Sequence, residues 1–294
     1  MANITLGFPN RIGEATVSGG NYFETMPLPN IQTRAFAQAA RTVDRELAST
    51  QFVLDFGRRR SLRILALVAH NLSLSARYVW EASNVADFST LQFSQAFDAW
   101  PRLAGGTWDI HALNWLSNNF WLGGYTQEDI DGQTPVSSQV LPQNVLAQYW
   151  RCRIFDRTNK DGFIQIGRVF TSEVFLQPRI NMKWGATLGY EDSTTVSTAL
   201  NGAEFFDVRE PIRILRFTLG YLSKEEGYAK ALELTRRAGI SGEVFVIFDP
   251  DDTTFAGQRN FIGRLRQLSP LESIQMFAGG SSLTSMAFEI KELR

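Results

Sequence analysis

"YWRCRIFDRTNKDGFIQIGRVF", residues 149–170, holds two strand-like runs around one polar stretch. In the first run Trp150, Cys152 and Ile154 alternate with Tyr149, Arg151, Arg153 and Phe155, the period of a strand with one buried face. The second run, "GFIQIGRVF" (162–170), reads as its antiparallel partner. Asp156 to Gly162 would then be the tight link, with Asp, Asn and a terminal Asp-Gly supplying local hydrogen bonds and a positive-φ position. The alternative is a cation loop. A helix-loop-helix calcium site wants oxygen ligands at its first, third and fifth positions and glycine at the sixth. Here the fifth is Lys160 and the sixth Asp161, and no helical pattern flanks them. The spacing favours the turn, which should tolerate loss of its carboxylates while Gly162 resists a β-branched replacement.

The same strand rhythm extends upstream. "TQFVLDFG" (50–57) reads as a short strand ending at Gly57, "RRRSLR" as a charged turn, "ILALVAHNLS" (64–73) as a buried strand and "ARYVWEAS" (76–83) as an alternating one. Breaks every ten residues or so suit an all-β sandwich. Residues 96–135 lack a clean period and carry Trp100, Trp108, Trp115 and Trp121 among Gly, Asn and Asp. They read as a long excursion from the sandwich, serving a ligand or an interface. Those four tryptophans are the candidate site: they could stack on sugar rings, or bury themselves against the sandwich or a neighbouring subunit, which aromatic enrichment at interfaces favours.

The composition shifts around 178–190. Beyond it "IRILRFTLGYL" (212–222) alternates Leu215, Phe217, Leu219 and Tyr221 against Arg216 and Thr218. "SKEEGYAKALELTRRAG" (223–239) is the one clear helix. Ser223 is its N-cap, Glu226 completes a capping box, and Gly239 stops it. Its inner stripe should be Tyr228, Ala231, Leu232 and Thr235. "EVFVIFDP" (243–250) reads as a strand buried on both faces; "FIGRLRQL" (261–268), "SIQMFAGG" (273–280) and "SMAFEIKEL" (285–293) are further strands, the last with Met286, Phe288 and Ile290 inward. The expected organisation is mainly β: a jelly-roll β-sandwich over 1–180, then a smaller α+β domain over 181–294 with one main helix, reserved for oligomerisation.

Chemistry is sparse. The chain of 294 residues has a formal net charge of −1, one cysteine and two histidines. No strong field draws it to nucleic acid or an acidic membrane, and no intrachain disulfide can form. Two histidines and one cysteine make no ordinary zinc site. His70 reads as a structural residue binding a loop; His111 has no marked partner; Cys152 reads as a small core residue. No nucleophile elbow or phosphate loop is present. "DPDDTTFAG" (249–257) reads as an acidic turn and "GRRRSLR" (57–63) as a solvated one. No cofactor or metal and no enzymatic activity are expected. "ILALVAH" is the longest apolar run and too short to span a bilayer. The first residues, "MANITLGFPNR", show no basic-then-apolar leader pattern.

Several stretches carry a resemblance. "NITLGFPNRIGEATVSGGNYFETMPLPNIQTR", "ARTVDRELASTQFVLDFGRRRSLRILALVAHNLSLSARYVWEAS", "YWRCRIFDRTNKDGFIQIGRVF" and "GEVFVIFDP" resemble a family of tailed-bacteriophage minor tail proteins. "FVLDFG", "ALVAHNLS" and "GFIQIGRVF" also resemble the galactose-binding-like (discoidin-like) jelly roll. The first resemblance implies a virion component of the tail tip or baseplate, near the distal tail protein and assembled in the host cytoplasm. Its partners would be copies of itself in a ring and other tail proteins. The second implies a sandwich of about eight strands and, by itself, no sugar site. Two functions follow as expectations. One is a structural tail protein, with residues from about 181 onward making the ring contacts. The other is a carbohydrate- or receptor-binding module using the Trp-rich region, with a host glycan as partner.

Overall fold

A computed structural model describes residues 3–100, 125–251, 256–276 and 282–294. The strands in chain order are β1 (Thr5–Gly7), β2 (Thr16–Ser18), β3 (Ala40–Arg41), β4 (Gln51–His70), β5 (Arg77–Ser83), β6 (Leu91–Asp98), β7 (Val136–Phe155), β8 (Gln165–Ser172) and β9 (Val174–Leu176). They continue as β10 (Thr187–Glu191), β11 (Thr195–Thr198), β12 (Glu204–Asp207), β13 (Ile212–Leu222), β14 (Val244–Ile247), β15 (Phe261–Leu265), β16 (Glu272–Met276) and β17 (Ser282–Glu292). The chain is mainly β with antiparallel pairing and one main helix. It divides into two compact units: residues 1–177 with 245–261, and residues 178–244 with 262–294.

The first unit is organised by two long strands. β4 and β7 pair along nearly their whole length, but the register shifts between Asp55 and Arg60 and again between Leu62 and Ile64. The charged stretch after Gly57 is therefore not a turn between two strands. It is an irregularity inside one strand, where Asp55 opposes Tyr149 and Arg60 opposes Ala147. Gly57 takes φ +66° there, and its N–H donates to Asp55 Oδ1 at 2.7 Å. Such bulges bend and twist the strands that carry them, so each long strand serves two layers. The first halves of β4 and last halves of β7 pair with β2 and β5, and β5 pairs on with β6. The last half of β4 pairs with β8, and β8 with β3.

The core lies between these layers. Phe52, Leu54, Tyr78, Trp80, Trp150, Cys152 and Ile154 come from one, Leu65, Leu67, Ile166 and Val169 from the other. The Tyr78 hydroxyl meets Ser137 Oγ across the gap at 2.9 Å. The alternation expected at 149–155 holds, with Trp150, Cys152 and Ile154 inward. A further short layer covers the outer side of the β4–β8 pair. There β1 pairs with β9 and β14, Phe170 packs on Phe245 at 5.0 Å, and Gly7 sits so close to Ile64 and Phe170 that a Cβ would collide. This is why β4 from Leu62 to Val68 is apolar almost without a break, and why all four residues of β14 are buried. Along one edge β14 pairs with β1 of the same chain.

In the second unit β13 pairs with β17 and β10, and β17 with β15 and β16. Leu215, Phe217 and Leu219 are inward as expected, but Tyr221 is half exposed and Leu222 is buried instead. The register shifts between Leu219 and Leu222, which turns the last residues over. The helix begins with the expected capping box: the Glu226 N–H donates to Ser223 Oγ at 3.2 Å, and the Ser223 N–H to Glu226 Oε2 at 2.9 Å. Its winding differs from expectation. Glu225–Leu232 is a π-helix and only Glu233–Ala238 is α-helical. The wider turns rotate Tyr228 and Leu232 off the inner face, so the buried stripe is Gly227, Ala231, Leu234, Thr235 and Ala238. Gly227 rests on Thr284, where a Cβ would collide with Oγ1.

Candidate functional site

The opening stretch has a different role from the one its turn chemistry suggests. β7 does not pair with β8; β4 lies between them. Residues 156–164 therefore cross from one layer of the sandwich to the other. Two more connections meet it there. Residues 71–76 lead from β4 to β5, and the described ends of the β6–β7 connection, residues 99–100 and 125–135, lie at the same end, because Arg77 lies beside both Phe155 and Asp98 while His70 lies beside Ile166 and Val136 beside Val68.

Side chains of two crossings lock together. Asp156 is buried; its Oδ2 accepts from the Ser73 N–H at 2.8 Å and its Oδ1 from the Ser73 hydroxyl at 2.5 Å. Asn159 Nδ2 donates to Asp156 Oδ2 at 3.0 Å and to the Asn71 carbonyl at 2.8 Å. Asn71 answers through Nδ2 to Asp161 Oδ2 at 2.8 Å, while its Oδ1 accepts from the Gln165 N–H at 2.7 Å. Ser75 and Thr158 hydroxyls lie 2.9 Å apart. Both Asp156 oxygens are thus occupied by protein donors. Gly162 has φ +82°, the left-handed conformation expected of it. Among the described residues, no three of His, Cys, Asp and Glu gather as a metal site.

Above this clamp lies a groove of about 770 Å³, lined by residues of all three connections: 70–75, Trp100 with Gln127, 130–133 and Pro135, and 158–161. His70 forms part of its floor. Its Nδ1 accepts from the Leu72 N–H at 3.3 Å, which places the neutral ring's proton on Nε2, and Nε2 has no partner among the described residues. Burial pushes the His70 pKa down to about 3, so the ring is neutral at ordinary pH. Trp100 meets His70 edge-on at 5.3 Å and Tyr125 at 5.8 Å, and its indole N–H donates to the Leu72 carbonyl at 3.0 Å.

Of the four candidate tryptophans, Trp100 is at the groove, largely buried against the sandwich with 9 % exposure. Trp108, Trp115 and Trp121, with His111, lie outside the described residues. The structural reading of His70 holds, since it ties β4 to the loop that follows. Cys152 is buried and its thiol pKa is raised well above the usual value by burial. Asp249 is buried and its Oδ1 accepts from the Asp251 N–H at 3.0 Å; the rest of the expected acidic turn, Asp252 to Phe255, lies outside the described residues. What sequence reading missed is the meeting of 71–75 with 156–161. The signal was there in Asn71, Ser73, Asn159 and Asp161, polar residues placed just beyond two strand ends, but it points to a shared site only once the layers are known.

No protein-family model and no curated protein matches the sequence. Solved structures similar to the chain include the lectin domain of lectinolysin complexed with Lewis B antigen, at 12 % identity and a TM-score of 0.37, covering 57 % of this chain and 98 % of that one. Others are the family 32 carbohydrate-binding module from C. perfringens NanJ in complex with galactose (14 %, TM-score 0.35, 58 % and 99 %) and a Streptococcus pneumoniae fucose-binding module (9 %, TM-score 0.34, 56 % and 97 %).

Proposed function

We propose that this protein binds carbohydrate, holding a neutral saccharide in the groove where the three connections meet. The observation that carries the reading is the lining of that groove. Amides and hydroxyls of Asn71, Ser73, Ser75, Gln127 and Thr158 surround an aromatic wall at Trp100. Saccharides present hydroxyls that both donate and accept, next to apolar C–H faces. Amides, hydroxyls and a ring match both. The volume falls within the range of small-ligand sites. Charge is mixed, with Lys160 beside Asp131 and Asp161, so nothing selects for a strongly charged ligand. No step of bond chemistry belongs to this reading.

Calorimetric titration of the whole chain with a panel of neutral sugars, galactose and fucose included, tests it. Binding in the millimolar to micromolar range, weakened at least tenfold by Gln127→Ala with Asp131→Ala, is the expected result. Absence of binding to every sugar at millimolar concentration overturns it.

A second reading is the assembly role that the family resemblance implies, a structural component of a phage tail. What favours an assembling protein is the exposed apolar hairpin formed by β11 and β12. Detection of the protein in purified virions by mass spectrometry tests that reading.

A further inference from the structure

The β11–β12 hairpin is exposed along its whole length. It is well formed. At the tip the Ala199 N–H donates to the Ala203 carbonyl, and at the base the Arg209 N–H donates to Thr194 Oγ1 at 3.0 Å. Yet Val196, Phe205, Phe206 and Val208 are all more than half exposed, and Leu200 is wholly so. Val196 opposes Phe206 and Ser197 opposes Phe205, so each face of the ribbon carries a phenylalanine. A two-stranded ribbon with no layer over it is marginal in water; three or more strands are needed for independent stability.

Its two outer edges differ. β12 presents Glu204 and Asp207, and pairing two copies there would gather four carboxylates along one seam. β11 reads Thr-Val-Ser-Thr, with no charge and no proline to blunt it. We propose that β11 is a self-association edge, at which two copies of the chain pair antiparallel about a twofold axis to form a four-stranded ribbon. In such a pair the axis falls at a residue; centred on Ser197, it sets Val196 opposite Thr198, a favourable β-branched pairing. The Val196–Phe206 pairs of both copies then lie side by side on one face. Main-chain hydrogen bonds along the paired edges and the approach of the two Val196 side chains across the axis supply the attraction. The contact is isologous and closes at two. The acidic β12 strands become the outer edges and oppose further addition.

This inference goes beyond the saccharide reading and is independent of it; sugar binding should be the same in the variants below. Sedimentation equilibrium of the whole chain should give a dimer or an even multiple at concentrations on the order of 100 µM. Val196→Lys, which brings two ammonium groups near the axis, should weaken association at least tenfold while circular dichroism stays unchanged. Ser197→Cys should form an intermolecular disulfide on mild oxidation, because opposed residues in an antiparallel pair lie about 4.5–5.5 Å apart and the native Cys152 is buried. Glu204→Cys, on the other edge, should not. A monomer at that concentration overturns the proposal. So does a dimer that Val196→Lys leaves intact, or one that Ser197→Cys fails to cross-link.

Discussion

Arg213 and Glu292 are sealed together inside the second unit, with side-chain exposures of 2 % and 1 % and a guanidinium nitrogen 2.5 Å from the carboxylate. The Arg213 backbone N–H donates to the other carboxylate oxygen at 2.9 Å. Removing one member leaves the other's charge buried without its counterion. Glu292→Ala should therefore cost about 3–5 kcal/mol, read as a lower urea midpoint at unchanged slope. Arg213→Met combined with Glu292→Leu should recover most of it, because the desolvation cost disappears along with the attraction.

At the crossing end, Asp156 should matter more than its turn-like sequence suggests. It is buried and accepts from Ser73 twice and from Asn159 once. Asp156→Ala strands those donors and should cost about 2–3 kcal/mol, against roughly 1 kcal/mol for Asp161→Ala, whose carboxylate is exposed. Thermal melting of the two variants side by side checks the order. Equal, small losses would mean the clamp contributes little.

Gly162→Val should cost on the order of 1 kcal/mol or more because of the positive φ there, although a Cβ would meet nothing within 4 Å. The same melting experiment with Gly162→Ala and Gly162→Asn separates backbone strain from crowding: Asn, which tolerates the left-handed region, should be the mildest of the three.

Ser223→Ala removes one half of the reciprocal cap on the helix and should cost about 1 kcal/mol. Glu226 also accepts from the Arg179 N–H at 2.7 Å, so Glu226→Ala should cost more than Ser223→Ala. Chemical denaturation of both variants provides the comparison.

His70 gives a pH dependence with a definite sign. Burial lowers its pKa from 6.5 to about 3 in the folded chain, so between those values the unfolded state binds more protons. Stability is intact above about pH 6.5 and falls as the pH drops toward 3, by up to about 1.4 kcal/mol per pH unit. Between pH 7.5 and 5.5 the unfolding free energy should drop by roughly 1.4 kcal/mol. His70→Gln should flatten that slope even if it lowers stability at every pH.

The strands were legible where burial is one-sided. Trp150, Cys152 and Ile154, or Met286, Phe288 and Ile290, announce a face by alternation alone, and Ser223 with Glu226 announces a helix start. Pairing partners were not legible. Asp, Asn and Gly between two strands serve a hairpin and an interlayer crossing equally well, so Asp156 to Gly162 looked like a hairpin although β4 separates its flanks. Gly57 and the arginines after it looked like a turn for the same reason: a bulge and a turn draw on one set of residues. The helix stripe was displaced because π-winding leaves no mark in the apolar spacing near Gly227. At the site, Trp100 was found from its type, whereas Asn71, Ser73 and Asn159 acquire meaning only from tertiary neighbours.

The bent pairing of β4 with β7 also sets a timetable for the nascent chain. Phe52 lies opposite Cys152, and Thr42 Oγ1 accepts from the N–H of Ile164. When β4 leaves the ribosome, β7 and β8 have not yet been made. At about 5–20 residues per second, β4 waits on the order of ten seconds with the edges that take β7 and β8 open. Folding of this end is therefore paced by translation, and faster synthesis shortens the interval in which β4 can find the wrong partner.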